Sequence, residues 1–239
     1  MASDKLKKNQ VHQKLVAKKR KQAQHRAAVT LHQLVKDIDD HPHNYHTYYD
    51  LGTFLVELHS YTQAEELFMK ALGLFAKQNS QARDTLLYGL GNVYYSVAEY
   101  NKAIKIFAKI KDRKLKVDSY IMLAQSYMSK KDYKRAIVFA LTARGFLKQN
   151  PVINGLLGAN LLALGDFKSS ARFYDVALRA EPKNGKFNFN RGIAAVVLGQ
   201  PFRNYFRKAK RYNPKYYQKG QKRLAEIERF VIVNRKKRK

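Results

Sequence analysis

The sequence predicts an all-α fold, a superhelical solenoid of stacked helix pairs with a capping helix at each end, and three observations lead there. Small residues recur inside apolar stretches at Gly52, Gly91, Ala124, Gly158 and Gly192, with successive spacings of 39, 33, 34 and 34 residues. Nine residues after each of the first four comes an aromatic (Tyr61, Tyr100, Tyr133, Phe167), and twelve after comes Ala64, Ala103, Ala136 or Ser170. With five prolines and twelve glycines in 239 residues, breakers are too few for a sandwich or barrel and suit a helical chain.

Each repeated position has a physical reason. Two helices pack closely only where small side chains let their backbones approach, so the Gly or Ala of one helix should face the Ala64-type residue of its partner. Tyr94, Phe68 and Phe107 should then fill the space between consecutive pairs. A lone pair cannot bury both of its faces, so the pairs must stack.

In chain order, residues 1–26 hold nine basic side chains and one acidic one and little to bury, which predicts a basic N-terminal arm. Ala27, Ala28, Leu31, Leu34, Val35 and Ile38 recur at three and four, as on an amphipathic helix, and Pro42 ends the run. That is the predicted N-terminal cap, over 27–44. Residues 45–214 carry the repeats, about five helix pairs. Tyr217, Leu224, Ile227 and Val231 make a second stripe and predict a C-terminal capping helix over 215–233, followed by a basic tail, 234–239.

The recurring pattern, L-G-x-x-[YL], a turn, an aromatic, A-x-x-x-F and then A, resembles the tetratricopeptide repeat, a 34-residue helix-turn-helix unit. Leu157 and Gly158, Leu164 to Phe167, then Tyr174, Ala177 and Pro182 keep the family spacing throughout. Copies beginning near Tyr45, Asp84 and Val117 keep the small residue, the turn aromatic and the alanine. The copy from Gly185 keeps Gly192, Ala209 and Pro214 but is two residues short around Gly199 to Arg203. The resemblance implies a concave face, made by the first helix of each pair, that holds an extended peptide or a helix. By repeat position it would carry Tyr49, Thr53 and Val56, then Tyr88, Asn92 and Tyr95, then Ile121, Gln125 and Met128. Asn92 matches one polar position of the carboxylate clamp of chaperone-tail-binding members, but Tyr88 stands where their lysine would be. Such a groove is aromatic and nearly uncharged, and suits an apolar peptide.

Chemistry is sparse. Cysteine is absent, which excludes disulfides, thiolate zinc and cysteine nucleophiles and fits a reducing compartment. No phosphate loop, dinucleotide fingerprint, nucleophile elbow or zinc-protease helix occurs. His41, His43 and His46 make a compact H-x-H-x-x-H, but no carboxylate or cysteine is placed to complete four ligands, and Pro42 marks a turn. The expectation is a binding protein and not an enzyme, with no cofactor and no metal. The N-terminus lacks the apolar core of a secretory signal, and the most apolar run, Ile193 to Leu198, is far shorter than a membrane span. A cytoplasmic protein without a transmembrane segment is expected.

A net charge of +29 is the compositional outlier. Residues 203–239 hold fifteen basic and two acidic side chains. Solubility needs a net charge of only about 2 to 8, so a polyanionic partner would relieve the self-repulsion. The residues expected to meet phosphates are Lys14, Lys18, Lys19, Arg20, Lys21 and Arg26 in the first arm, with Arg207, Lys208, Lys210 and Arg211 and the tail Arg235, Lys236, Lys237, Arg238 and Lys239 at the other end. Tyr205, Phe206, Tyr212, Tyr216 and Tyr217 lie among or beside the second set, where basic and aromatic residues together suit pairing with phosphates and stacking on bases, although the core competes for Phe206 and Tyr212. Two functions follow: a scaffold docking on RNA or a ribonucleoprotein particle, such as the ribosome, through its basic ends with the groove for protein contacts, or a protein-interaction adaptor that binds a peptide or an acidic protein without nucleic acid.

Overall fold

A computed structural model describes the backbone of residues 2–77 and 79–236, and the side chains of 13, 15–77, 79–227 and 229. Among the described residues there are twelve α-helices and no strand. The fold is an all-α tetratricopeptide solenoid, divided into two compact units, Met1–Val97 and Ala98–Lys239.

The first unit contains α1 (Ala2–Asp40), α2 (Tyr45–Glu57), α3 (Tyr61–Phe75) and α4 (Ser80–Ser96). Asparagines start α2 and α4: the Asn44 side chain accepts from the His46 N–H, and that of Asn79 from Gln81 and Ala82. The fully buried Phe68 ring of α3 lies against both Gly52 and Gly89, since a Cβ on either would sit 2.4 Å from it. It therefore fills the space between the α2–α3 pair and α4, as the spacing predicts. α4 has 17 residues where α2 has 13, so most of the longer 39-residue interval is an extra helical turn before Gly91. Ala27, Leu31, Leu34 and Ile38 are half-buried on α1, which packs on α2, whereas Ala28 and Val35 of the predicted stripe are exposed. α1 is continuous through residues 26 and 27, so arm and cap share one helix.

The second unit contains α5 (Tyr100–Phe107), α6 (Lys116–Ser129), α7 (Tyr133–Phe146), α8 (Pro151–Ala163), α9 (Phe167–Ala180), α10 (Gly185–Leu198), α11 (Arg203–Tyr212) and α12 (Pro214–Lys236). Caps recur here too. Asp132 accepts from Arg135, Asn150 from Ile153, Asp166 from Ser169 and Asn184 from Phe187. The bonds from Ser169 hold the Asp166 carboxyl below its ordinary range. A ring covers both of the repeated glycines: Tyr174 lies on Gly158 and Phe206 on Gly192. Ser170 sits at the predicted partner position and donates to the Gly158 carbonyl at 2.8 Å. The small residues thus make room for an aromatic as well as for a neighbouring helix.

One repeated feature escaped the sequence reading. His59, Ala98, Lys131, Gly165 and Gly199, each seven residues after a small residue, all take a left-handed backbone, with φ between 60° and 83°. Glycine occupies only the last two, so residue identity hides the turn in the first three. In the last copy α11 has 10 residues against 14 for α9, two lost to the shorter repeat and two to a later start, eleven residues after Gly192 instead of nine.

The core of this unit's end joins Leu162, Tyr174, Phe189, Ile193, Val196, Phe206 and Leu224, with Tyr216, Tyr217 and Ile227 packed against it. α12 is bound there closely: Gly220 is seated on the Phe189 ring, where a Cβ would come within 2.2 Å.

Candidate functional site

In the first unit the expected groove residues lie on the neighbouring helices α2 and α4. Tyr49, Thr53, Val56, Tyr88, Asn92 and Tyr95 are all half-buried and none is charged. The Tyr49 ring is 6.2 Å from that of Phe68, so its base is tied to the core, and the Thr53 hydroxyl turns back to the Asp50 carbonyl at 2.9 Å. In the second unit Ile121, Gln125 and Met128 are half-buried on α6, with Ile121 and Met128 against the cluster of Ala124, Ile153 and Leu157. Each unit thus presents a face of partly covered apolar and amide side chains. A cleft of about 410 Å³ also opens in the first unit, lined by Leu31, Val35, Leu51, Leu55 and Leu67, with Glu66 and Lys70 beside them.

The basic residues divide by environment. Lys18, Lys19, Arg20, Lys21 and Arg26 are exposed on α1. On α11, Arg207, Lys210 and Arg211 are exposed and Lys208 is half-buried. The side chains of Lys14, Arg235 and Lys236, and all of Lys237, Arg238 and Lys239, lie outside the described residues.

Base stacking by the neighbouring rings is not what the structure provides. Phe206 is core, edge-on to Phe189 at 5.6 Å, and Tyr217 packs on both. The Arg191 guanidinium lies 4.9 Å from the Tyr205 ring, Lys186 approaches that of Tyr216 and Arg211 that of Tyr212. Packing claimed Phe206, Tyr216 and Tyr217 because the repeat register puts Phe206 over Gly192 and α12 over α10, while Tyr205 and Tyr212 are half-buried beside a cation.

Sequence reasoning also missed an ion pair between a buried arginine and a half-exposed aspartate. Arg191 is 8% exposed and its Nε donates to Asp175 at 2.7 Å, with a second bond from Nη2 at 3.2 Å. A charged residue inside an apolar run was the available signal. The pair links α9 to α10, and with Asp175 half-exposed to solvent its net contribution to stability is small. Nearby, burial pushes the Tyr174 phenol well above its ordinary range, and the proximity of Tyr216 adds to this. His41, His43 and His46 are exposed, and no group of His, Cys, Asp or Glu among the described residues is arranged to hold a metal. No described helix is long and apolar enough to cross a membrane.

Stacked helix pairs with a shared left-handed turn define a helical repeat protein. A family model for the tetratricopeptide repeat matches residues 45–78 and 117–143, and the fold is that of a tetratricopeptide-repeat protein. No curated protein matches it in sequence. Among solved structures it is similar to Pseudomonas aeruginosa pilF, at 16% identity over 82% of this chain and 91% of that one, with a TM-score of 0.68. YrrB, described as a TPR protein with an unusual peptide-binding site, shares 18% identity over 79% of this chain and 97% of that one, with a TM-score of 0.57. The Cut9–Hcn1 hetero-tetramer of the APC/C gives 15% identity over 87% of this chain and 40% of that one, with a TM-score of 0.64. At these identities the likeness is one of fold.

Proposed function

We propose that this protein is a protein-interaction scaffold that works by binding rather than catalysis, holding a partner's segment on the first-helix face of its repeats. The observation that carries this is the uncharged, half-buried face of α2 and α4, where Tyr49, Thr53, Tyr88, Asn92 and Tyr95 combine apolar area with amide and hydroxyl groups. Gln125 and Met128 extend the same chemistry on α6 of the second unit. Partly covered aromatic side chains lose little freedom on binding and anchor peptides well. Peptide binding described for YrrB supports the reading by fold analogy. Docking on RNA or a ribonucleoprotein has no comparable support from the fold or its relatives, so the adaptor reading takes precedence over it. A cytoplasmic location, a basic arm over 1–26, a cap over 27–44 and a second cap over 215–233 belong to the same proposal.

The test is an immobilised library of extended peptides probed with the intact protein and with the variant Tyr88→Ala, Tyr95→Ala. Apolar, weakly charged peptides are expected to bind, and the double variant to lose at least about tenfold in affinity, as removing two aromatic anchors implies. Equal binding by the variant overturns the placement of the groove.

A further inference from the structure

Between Arg203 and Ala225 the chain has nine basic residues and no acidic one. Eight are exposed: Arg203, Arg207, Lys210 and Arg211 on α11, and Lys215, Lys219, Lys222 and Arg223 on α12. On α11 the exposed cations follow at intervals of three and four residues, opposite the buried Phe206 and Ala209. On α12, Lys215, Lys219 and Lys222 repeat this opposite Gly220 and Leu224. None of the nine takes part in the ion pairs of Arg83 with Asp84, Lys102 with Glu99, Arg135 with Asp132 or Arg191 with Asp175. Like charges at this spacing repel, so the array costs stability, and its contacts within the chain are local ones, Arg207 with Asn204 and Arg211 with the Tyr212 ring.

We propose that the cationic faces of α11 and α12 bind the phosphate backbone of a nucleic acid, without reading its sequence. Two observations select this partner over the other anions. First, no large apolar side chain is exposed between Gly199 and Ile227, whereas Val138, Leu141, Phe146, Leu147 and Val152 are exposed elsewhere in the same unit. A protein interface is anchored by apolar and aromatic residues at its centre, and a membrane-surface helix needs an apolar face. The exposed side chains of this surface are mainly charged and amide, with Pro201 exposed and Phe202 half-buried at its edge. Second, Phe206 is buried and Tyr205, Tyr212, Tyr216 and Tyr217 are half-buried, their rings engaged by core packing or by neighbouring cations. With those rings so engaged, contacts fall mainly on phosphates and position the ligand without specifying it. An open cleft of about 610 Å³, lined by Gly199, Pro201 and Phe202 on one side and by Gln200, Arg203, Asn204 and Arg207 on the other, lies beside these cations, and the Arg207 guanidinium is held there by Asn204 at 2.9 Å.

The test measures fluorescence anisotropy of the full chain with a uridine-only RNA, a thymidine DNA of the same length and a polyglutamate of matched charge, across a salt series. Both nucleic acids should bind at low salt and polyglutamate more weakly. Each single-strand phosphate contact contributes about 0.7 to the slope of log affinity against log salt, so replacing Arg207, Lys210 and Arg211 with Gln should flatten the slope by about 2. Lys215→Gln, Lys219→Gln and Lys222→Gln together should flatten it by a similar amount. Replacing the exposed Lys105, Lys109 and Lys134 of the same unit should leave it unchanged. Circular dichroism verifies that each variant is folded. No binding at low salt, polyglutamate held as tightly as RNA, or equal flattening by the control set overturns the proposal. Peptide binding by the first-helix face is scored separately, so failure here leaves that reading intact.

Discussion

At one end of the chain the cations of α1 ride on a helix that touches α2 through Ala27, Leu31, Leu34 and Ile38, while Gln13 and every described side chain from Leu15 to Arg26 is exposed. At the other end the cations of α11 and α12 stand on helices whose opposite faces are anchored by Phe206, Ala209 and Leu224. The charge density in the sequence is similar, and the support is not. A basic run therefore says that an anion is welcome, whereas the apolar residues interleaved with it say whether the charges are held in place. Fixed charges lose less freedom when they bind, which is why the proposed phosphate surface lies on α11 and α12 rather than on α1.

The comparison breaks first at Phe189. Its ring is 2% exposed, meets Phe206 and Tyr216 at 5.6 Å and Tyr217 at 5.9 Å, and carries Gly220. Phe189→Ala should cost about 3–5 kcal/mol in urea unfolding and release α12. A loss below about 1 kcal/mol would mean that the C-terminal helix is not anchored through this ring. Gly220→Leu probes the same seat from the other side by overpacking, at about 1–3 kcal/mol.

At the other end Leu34→Ala, which removes a half-buried side chain from α1, should cost about 1 kcal/mol, roughly half of a full leucine burial. Deleting residues 1–24 should leave the urea midpoint of the rest nearly unchanged, because the described side chains among them bury nothing. A large fall in that midpoint would make the arm structural and erase the contrast.

Much of this was legible before any coordinates. Glycine and alanine spacing yields the pairs α2–α3, α6–α7, α8–α9 and α10–α11, because close helix approach admits few residue types. The stripe of Tyr217, Leu224 and Ile227 yields α12. What stayed hidden had a common cause: a residue's partner lies in another helix. Nothing in the spelling of Tyr205 says that Arg191 will cover it, nor does His59 announce a left-handed turn as Gly165 does. The groove residues were legible as a face through the repeat register, but their ligand was not, since packing and recognition use the same aromatic side chains.

The smallest effects are expected from charge itself, and they sharpen the comparison most. Lys14, Lys18 and Lys21 follow at four and three residues, the spacing at which like charges on a helix repel by about 0.2–0.5 kcal/mol per pair. On α1 no core contact opposes that repulsion between residues 15 and 26, so it acts on helix formation directly. On α11 the helix is held by Phe206 and Ala209, and repulsion only lowers the stability of a structure that persists. Replacing Lys18, Lys19, Arg20 and Lys21 with Gln should therefore raise the helical circular dichroism signal at low salt, and added salt should raise the parent to match. Replacing Arg207, Lys210 and Arg211 should leave the helical signal unchanged and move only the thermal midpoint, slightly upward. Should both sets change helicity alike, the α11 charges would not be supported by the core beneath them, and the two ends would behave as one kind of basic arm.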